Sequence, residues 1–236
     1  MALISGLKNL IKPVIKFKEF SKKQMQLLTW WCPYSPYRNY DGIIADGSIR
    51  AGKTVSMAIS FIIWLMDTYD GQNFAMCGKT VGSFRRNVWK WLKPVLVLRG
   101  YHIEESKTEN LIVIAKGKKI NYIYVFGGRD ESSQDLIQGI TLAGVFFDEV
   151  ALMPESFVNQ ATGRCSVERA KMWFNCNPDS PMHWFLNNWI RQKEAKKMLH
   201  IHFTMDDNPS LSNATRERYK SMYSGVFYQR FILGLW

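Results

Sequence analysis

Cysteine is scarce in this 236-residue sequence, and its arrangement excludes two common ways of stabilising a domain. The four cysteines, at positions 32, 77, 165 and 176, include no C-x-x-C pair and lack the ligand spacing of a zinc site. Long apolar runs are also missing, since the stretch from Ile59 to Met66 is too short to span a bilayer. The first twenty residues contain neither a long apolar region nor a small-residue cleavage site. We therefore expect a cytosolic protein with reduced thiols, no secretory signal and no transmembrane segment.

Acidic residues are few relative to basic ones, with 20 Asp and Glu against 31 Lys and Arg and a formal net charge of +11. Such an excess attracts polyanions and makes nucleic acid the first candidate partner, with a merely soluble basic surface as the alternative. Residues 7–20 form a basic segment that is compatible with a membrane surface, although a strap over the domain is the more ordinary outcome. Hydrophobic residues make up 47% of the chain, so we expect it to bury a sizeable core and fold unaided.

Helix-like and strand-like patterns alternate along the chain, which is typical of a parallel sheet with crossover helices. The first predicted elements are a helix at 21–31, a strand at 42–46, a helix at 53–68, a strand at 73–78 and a helix at 82–93. Runs at 109–115 and 119–126 predict an antiparallel hairpin with a turn at 116–119, and later strands are predicted at 142–147, 170–175 and 198–203. Helices are expected to begin near Pro154, Pro181 and Ser212. The predicted fold class is α/β, with a mostly parallel central sheet flanked by helices and some added antiparallel strands.

One segment fits the phosphate-binding pattern G-x-x-x-x-G-K-[ST] at every defined position, and it reads Gly47-Ser48-Ile49-Arg50-Ala51-Gly52-Lys53-Thr54. The predicted context also fits, since a strand ends at Asp46 and a helix begins at Lys53. In this motif the glycines let backbone amides turn toward the phosphates, the lysine reaches the β and γ phosphates, and the hydroxyl ligates Mg²⁺. The sequence therefore predicts a site for ATP and Mg²⁺, with Thr54 on the metal and residues as far as Val55 in contact with the nucleotide.

An acidic pair, Asp148-Glu149, follows the apolar run from Leu142 to Phe147, which is typical of a buried strand. Ligands collect at the carboxyl ends of strands in open parallel sheets, so both carboxylates are expected near the phosphate loop. Asp148 is predicted to hold Mg²⁺ through water, and Glu149 to act as the general base toward the attacking water. An Asp-Glu pair alone often only solvates a strand end; a phosphate loop upstream favours the catalytic interpretation.

The roles of a few further residues stay open at this point. Asn177 follows the predicted strand 170–175 and is a candidate sensor of the γ phosphate, although Asn-Pro is also a common turn. Arg50 is compatible with contact to phosphate oxygens or with exposure to solvent. Gln24 carries an amide that can pair with an adenine edge, but a surface position is the simpler interpretation. For His200 and His202, on one face of a predicted strand, two half-buried histidines are expected rather than a metal site.

The ordered set of motifs resembles one family, the ATPase half of the large terminase subunit of tailed bacteriophages. The resemblance runs through nearly the whole chain. It rests on Phe20-Ser21-Lys22-Lys23-Gln24, Asp46 through Thr54, Ile137-Gln138-Gly139-Ile140-Thr141, Phe147-Asp148-Glu149, Asn175-Cys176-Asn177-Pro178, Asp207-Asn208-Pro209 and Ile232-Leu233-Gly234-Leu235-Trp236.

The resemblance implies a RecA-like fold and an ATPase that powers translocation of double-stranded DNA into a procapsid. It also implies that Gln24 contacts adenine and that Asn177 belongs to the motif that couples hydrolysis to movement. The expected partners are DNA, further copies in a homo-oligomeric ring on a portal, and a small terminase subunit, in the cytoplasm of an infected bacterium and transiently on the procapsid. Relatives also carry a C-terminal nuclease domain of the RNase H type. Because the chain ends where its linker would begin, we expect no nuclease activity.

The sequence shows no internal repeat, low-complexity tract or long linker, which favours a single domain. We predict one ATPase domain over 1–236, with a helical strap and adenine-side region at 1–40, a phosphate-loop core at 41–205 and a C-terminal helical segment at 206–236.

One departure from the family concerns the arginine that some relatives supply to a neighbouring subunit, beside a glycine shortly before the Asp-Glu strand. This chain has Gln138 before Gly139. Arg129 and Arg164 are nearby candidates for that role, and Arg50 is a candidate within the same subunit.

Two competing functions remain at this stage. One is another P-loop enzyme, such as a DNA-dependent ATPase of the helicase type or a signalling NTPase. Helicases of the two-domain kind need a second lobe, for which 236 residues leave no room, so this alternative is weakened. The other is a phosphate-binding module without catalysis, against which Glu149 argues.

Overall fold

Eight strands form one sheet in the computed structural model of the protein, which describes residues 19–236. Their order is β3-β4-β5-β2-β6-β7-β1-β8, and the pairs from β5 to β8 are all parallel, whereas β3-β4 and β4-β5 are antiparallel. The strands are β1 (Gly42–Gly47), β2 (Asn73–Gly78), β3 (His102–Ser106), β4 (Leu111–Lys116), β5 (Lys119–Gly127), β6 (Gly144–Asp148), β7 (Lys171–Asn175) and β8 (Met198–Phe203). This arrangement confirms the predicted fold class.

Helices connect these strands and cover both faces of the sheet. They are α1 (Lys22–Thr29), α2 (Lys53–Thr68), α3 (Val81–Phe84), α4 (Lys90–Leu98), α5 (Glu155–Gly163), α6 (Asn213–Met222) and α7 (Gly225–Phe227). π-Helical segments lie at Arg85–Trp89, Leu186–Ile190 and Tyr228–Leu233, and 3₁₀ turns at Glu131–Ile137, Val150–Leu152 and Met205–Asp207. Within residues 19–236, no helix combines the length and apolar character needed to cross a bilayer.

Several predicted elements have the bounds that the sequence indicated. Helix 53–68 and strands 73–78 and 198–203 are confirmed to the residue, and the hairpin is present with Gly117 in the turn at φ +62°. Helices also begin beside Pro154 and Ser212, as predicted. The basic segment 7–20 falls mainly outside the described residues. The division into segments 1–40, 41–205 and 206–236 stays a prediction.

The predicted end of the helix at 93 is wrong, because the helical path continues through Pro94 to Leu98. Proline inside a helix removes a backbone hydrogen bond and costs about 3 kcal/mol. Here Leu92, Val95 and Leu96 are buried, and burial of apolar side chains on both sides of the proline offsets that cost.

One strand was not predicted, and the start of one helix needs correction. The sequence pattern does not predict strand β3, because its residues His-Ile-Glu-Glu-Ser are mostly polar; it forms a sheet edge, where such residues are tolerated. The helix predicted near Pro181 begins only at Trp184, because Pro181 lies in a turn in which the Met182 amide donates to Ser180 Oγ at 3.2 Å.

Large aromatic side chains fill the core on both faces of the sheet. On one face, Phe61 and Trp64 of α2 pack against Trp173 of β7, with ring centres 5.2 and 4.7 Å apart. On the other face, Phe147 of β6 stacks on Phe174 of β7 at 5.0 Å. β7 pairs with β6 on one side and β1 on the other, all parallel, so the carboxyl ends of these three strands meet at one edge of the sheet.

Candidate active site

The loop between β1 and α2 has a backbone that only glycine accommodates at two positions. Gly47 has φ +124°, and a Cβ there would lie 1.9 Å from the Phe203 carbonyl oxygen. Gly52 has φ +84°, and a Cβ there would lie 2.5 Å from Gln24 Nε2. Helix α2 begins directly afterwards at Lys53, so its first backbone amides and the positive end of its dipole face the loop. This geometry is that of an anion-binding loop.

Lys53 is buried beneath the loop and hydrogen-bonded from three directions. Its Nζ donates to the carbonyl oxygens of Gly47 at 3.1 Å and Ser48 at 2.6 Å, and to Asn177 Oδ1 at 3.0 Å. Burial lowers the pKa of Lys53 to about 8, while Asp46, Asp148 and other nearby acidic groups oppose that shift. The amine is therefore held beside the loop, with its charged form favoured by any anion that the loop binds.

Thr54, Asp148 and Asn175 form a compact polar cluster at the carboxyl ends of β6 and β7. Thr54 Oγ1 lies 3.1 Å from Asp148 Oδ1, and Asn175 Nδ2 donates to both oxygens, at 2.8 and 2.6 Å. Burial raises the pKa of Asp148 to about 6, and the charge of Glu149 adds to the rise. Hydroxyl and carboxylate oxygens are the ligands that Mg²⁺ prefers, so the predicted metal residues fit this ion.

Asn175 is the residue of this cluster that the sequence analysis did not assign. Both asparagines of the Asn175-Cys176-Asn177-Pro178 motif were visible, but the motif alone does not tell which amide points where. The structure directs Asn177 to Lys53 and Asn175 to Thr54 and Asp148.

Glu149 stands directly after β6 in a left-handed backbone conformation, with φ +59° and ψ +49°. A non-glycine residue in this region is strained by about 1–3 kcal/mol and persists only where its surroundings hold it. The 3₁₀ turn Val150–Leu152 follows, and His183 Nε2 lies 3.1 Å from the Ala151 carbonyl oxygen. The turn is thus anchored, and Glu149 is held at the carboxyl end of β6.

One cavity of about 650 Å³ connects these groups. From the phosphate loop it includes every residue from Ile49 to Val55, whereas Ser48 is fully buried behind the loop. Asp148, Glu149, Asn175 and Asn177 also line it. Asn208, of the Asp207-Asn208-Pro209 motif, also lines the cavity, although the sequence did not indicate that it belongs to the site. The remaining lining residues lie in no recognisable motif: Asn87, Trp91, Tyr219 and Tyr223.

Arg50, in the middle of the phosphate loop, has φ +59° and contacts the C-terminal segment. Its Nε donates to the Tyr219 hydroxyl at 2.9 Å, and its carbonyl oxygen accepts from Asn208 Nδ2 at 2.6 Å. The two alternatives left open for Arg50 were contact with phosphate and exposure to solvent, and it is exposed while it bridges to Tyr219.

Gln24 is buried beside the loop, so the surface position taken as the simpler interpretation is wrong, and it does not line the cavity. Its Oε1 accepts from the Ser21 amide at 3.0 Å, completing the cap that begins α1. Its Nε2 packs against Gly52. Contact between Gln24 and adenine stays a prediction.

The C-terminal residues hold both the phosphate loop and the turn after β7. The Ile49 amide donates to the Phe231 carbonyl oxygen at 3.0 Å, and Gly234 packs against Gly47 and Ser48. On the other side, Arg230 Nη2 lies 2.6 Å from Asp179 Oδ1 and its Nε donates to the Pro178 carbonyl oxygen at 3.1 Å. Residues 230–234 therefore connect two parts of the site.

Asp46, the residue before the loop, is the hydrogen-bond partner of both His200 and His202. Its Oδ1 accepts from both rings, at 2.8 and 3.0 Å, and its Oδ2 accepts from Trp236 Nε1 at 2.7 Å. Although burial acts in the opposite direction, these hydrogen bonds hold the pKa of Asp46 well below its ordinary value. Among the described residues, no group of three or more His, Cys, Asp and Glu side chains is arranged to hold a metal.

Taken with the sheet order, this site defines a class: a RecA-like P-loop fold of the α/β type, with antiparallel strands added at one edge. The family model described as "Terminase large subunit, T4likevirus-type, N-terminal" matches residues 44–236. The chain belongs to the large terminase family, and it corresponds to the N-terminal ATPase domain of that subunit.

Solved structures agree with this assignment. The large terminase from a thermophilic bacteriophage is 61% identical, with a TM-score of 0.90 over 93% of this chain and 54% of that one. Its complex with ADP gives 60% identity and 0.89 over 92% and 54%, and its complex with ATP-gamma-S gives 58% and 0.88 over 92% and 53%. The chain therefore spans about half the length of these relatives.

A more distant structure supports the fold alone. The ATPase domain of the Thermus phage P74-26 large terminase is 14% identical, with a TM-score of 0.61 over 90% of this chain and 97% of that one. No curated protein sequence gave a match.

Proposed function

We propose that the protein is the ATP-hydrolysing motor domain of a DNA-packaging terminase. The observation that carries this proposal is that Lys53, Thr54, Asp148 and Glu149 line one cavity above an anion-binding loop. The large terminase of the thermophilic bacteriophage, which is similar over most of this chain, has been solved with ADP and with ATP-gamma-S.

The phosphate loop binds the triphosphate through its inward backbone amides and the N-terminus of α2. Lys53 then exchanges its hydrogen bonds to the Gly47 and Ser48 carbonyl oxygens for contacts with phosphate oxygens. The negative charge of the phosphates stabilises the buried ammonium group, which the neutral carbonyl oxygens do less well. Thr54 and Asp148 would hold Mg²⁺, which neutralises charge on the β and γ phosphates. Asn175 keeps these two side chains together through its hydrogen bonds to both.

Glu149 acts as the general base, which accepts a proton from the water that attacks the γ phosphate. It lines the cavity directly after β6 and takes no part in the hydrogen bonds that engage Asp148. Asn177 contacts Lys53, so loss of the γ phosphate changes the partners of both side chains. Asn177 thereby reports hydrolysis to the turn that Arg230 holds.

Double-stranded DNA is the proposed polymer partner, because the chain is strongly basic and the cations are locally concentrated. Residues 79–99 include six Lys and Arg and no acidic residue, and Lys79, Arg86 and Lys90 are exposed. Phosphate contacts of this kind give weak, sequence-independent and salt-sensitive binding. The domain is proposed to work as a homo-oligomeric ring on a portal, recruited by a small terminase subunit in the cytoplasm of the infected host.

The test measures ATP hydrolysis by the protein with and without Mg²⁺ and duplex DNA, and binding of unrelated duplexes at two salt concentrations. DNA unwinding, and packaging of DNA into portal-bearing procapsids, are measured with the whole terminase. We expect hydrolysis that requires Mg²⁺, DNA binding that fades at high salt regardless of sequence, and packaging that Glu149→Gln abolishes. Hydrolysis and DNA unwinding without packaging would favour the alternative, another DNA-dependent P-loop ATPase of the helicase type. No hydrolysis under any condition would contradict both.

A further inference from the structure

The cavity has two chemically different ends on opposite sides of β1. In the sheet, β7 and β6 lie on one side of β1 and β8 lies on the other. Glu149 follows β6, and Asn87 and Trp91 come from the helices after β2, the strand beyond β6. We call this side the catalytic end.

Tyr219 and Tyr223 form the other end, which we call the aromatic end. They belong to α6 and the residue after it, and α6 is tied to the segment that follows β8. Arg216 Nη2 donates to the Asn208 carbonyl oxygen at 3.0 Å, and its Nε donates to that of Met205 at 3.4 Å. The phosphate loop thus lies between an end that holds the Glu149 carboxylate and the Trp91 indole and an end that holds two tyrosines and, among the described residues, no carboxylate.

This polarity fixes how a nucleoside triphosphate lies in the cavity. Hydrolysis requires the γ phosphate beside Glu149, so the rest of the nucleotide extends from the loop toward the opposite end. We propose that Tyr219 and Tyr223 bind the nucleobase through their rings. This inference rests on the proposed function, because it assumes that a nucleotide occupies the loop.

Both tyrosines are held in place by contacts with neighbouring side chains, which for Tyr219 include two guanidinium groups over its ring. The Tyr219 hydroxyl accepts from Arg50 Nε at 2.9 Å, and Arg50 and Arg218 guanidinium carbons each lie 5.6 Å from its ring centre. The Tyr223 ring packs edge-to-face on Phe231, with centres 5.3 Å apart. The Phe231 carbonyl oxygen in turn accepts from the Ile49 amide of the loop. The rings are half-buried, so each keeps surface that a planar base can cover.

The side-chain amides near this end are already engaged, which leaves ring contact as the main source of base affinity. Asn208 donates to the Arg50 carbonyl oxygen and accepts from the Ser210 amide at 3.0 Å. Gln24 accepts from Ser21 and packs its Nε2 on Gly52. Stacking on aromatic rings tolerates every base because each base has a π face. The tyrosines should therefore contribute equally to adenine and guanine nucleotides.

The test compares Tyr219→Ala and Tyr223→Ala with the wild-type chain by titration calorimetry with ADP, GDP and inorganic tripolyphosphate, each with Mg²⁺. Each alanine variant should lose about 5- to 150-fold in affinity for ADP and for GDP alike, and none for tripolyphosphate, which has no base. Tyr219→Phe loses the hydroxyl contact to Arg50 but keeps the ring, so it should retain most of the ADP affinity. Tyr228→Ala, in the same C-terminal segment but outside the cavity, is the matched control.

The inference is overturned if the alanine variants bind ADP like the wild type, or lose ADP and tripolyphosphate equally, which would mean that the rings only support the loop. If only Gln24→Ala loses ADP affinity, the inference is also overturned, because the Gln24 amide would then be the group that binds the base. If an alanine variant unfolds, Tyr→Leu at the same position keeps the apolar bulk without the ring, and the expectation is unchanged. Failure of the proposed function looks different, because the wild type would then bind none of the three ligands.

Discussion

Lys53 and Asn177 are joined by a direct hydrogen bond, with 3.0 Å between the lysine Nζ and the amide Oδ1. This bond connects the phosphate-loop lysine to the turn after β7. Loss of one partner of a bond to a charged group removes about 1.5–3 kcal/mol.

Replacing Asn177 by alanine should therefore slow hydrolysis more than it weakens ATP binding. We expect kcat to fall about 10- to 100-fold, since the amide is needed when Lys53 and the γ phosphate change partners. Steady-state kinetics together with an equilibrium ATP titration separate the two quantities. Asn159→Ala, an exposed asparagine on α5, serves as the control. An equal loss in affinity and kcat would mean that Asn177 only helps to bind nucleotide.

The fold was predictable from the sequence wherever burial and periodicity agree. Helix α2 and the strands β2 and β8 are mostly apolar, and their bounds followed from pattern alone. Strand β3 was missed because an edge strand packs against few neighbours and can have a polar sequence. The helix end predicted before Pro94 was wrong because burial of the apolar side chains around the proline outweighs its low helix propensity. Such long-range effects leave no local signal.

The candidate site also has a part that was predictable from the sequence and a part that was not. Residues 47–54 and the pair Asp148-Glu149 were visible because chemistry fixes their spacing. Asn87, Trp91, Tyr219 and Tyr223 reach the cavity only because the helical segment 85–98 and residues 213–223 fold over it, and residues brought together in this way have no shared spacing. The cluster of Asp46 with His200, His202 and Trp236 likewise joins residues that are distant in sequence.

Asp148 should destabilise the protein at high pH when Mg²⁺ is chelated. Its pKa is about 6 in the folded protein against an ordinary value of 3.8, so its contribution to stability is full below about pH 4 and is lost as the pH rises through 6. Asp148→Asn should raise the free energy of unfolding at pH 8 by about 1–3 kcal/mol and change it little at pH 4. Urea unfolding in EDTA at both pH values measures this. A variant that is less stable at pH 8 would contradict the account.

Arg230 and Asp179 should act as one unit. Their atoms lie 2.6 Å apart at the turn that carries Asn177, and the arginine also holds the Pro178 carbonyl oxygen. We expect Arg230→Gln and Asp179→Asn each to lower kcat with ATP affinity retained, and the double variant to be little worse than either alone. Arg191→Gln, at an exposed arginine, is the control. Fully additive losses in the double-mutant cycle would show that the pair does not position the turn.

Arg129 is a better candidate than Arg164 for an arginine supplied to a neighbouring subunit. It is exposed just after β5, at the same sheet edge as Asp148. Arg164 instead pairs its carbonyl with the Leu142 amide before β6 begins, about 20 Å from that edge at roughly 3.3 Å per residue.

Turnover per subunit should rise with protein concentration, by up to about 10³- to 10⁵-fold on full assembly. Arg129→Ala should abolish the rise and Arg164→Ala should not; turnover that is independent of concentration in a monomer would show that Arg50 or another group in the same subunit suffices.

Single-turnover hydrolysis of labelled ATP by the wild type, Lys53→Ala and Glu149→Gln, with ATP binding measured on the same preparations, tests the central claim most directly. Lys53→Ala should lose nucleotide binding, because it removes the buried cation at the phosphate loop. Glu149→Gln should bind ATP like the wild type and cleave it about 10²- to 10⁴-fold more slowly. Hydrolysis by Glu149→Gln at the wild-type rate would contradict the assignment of this cavity as a site where Glu149 activates water.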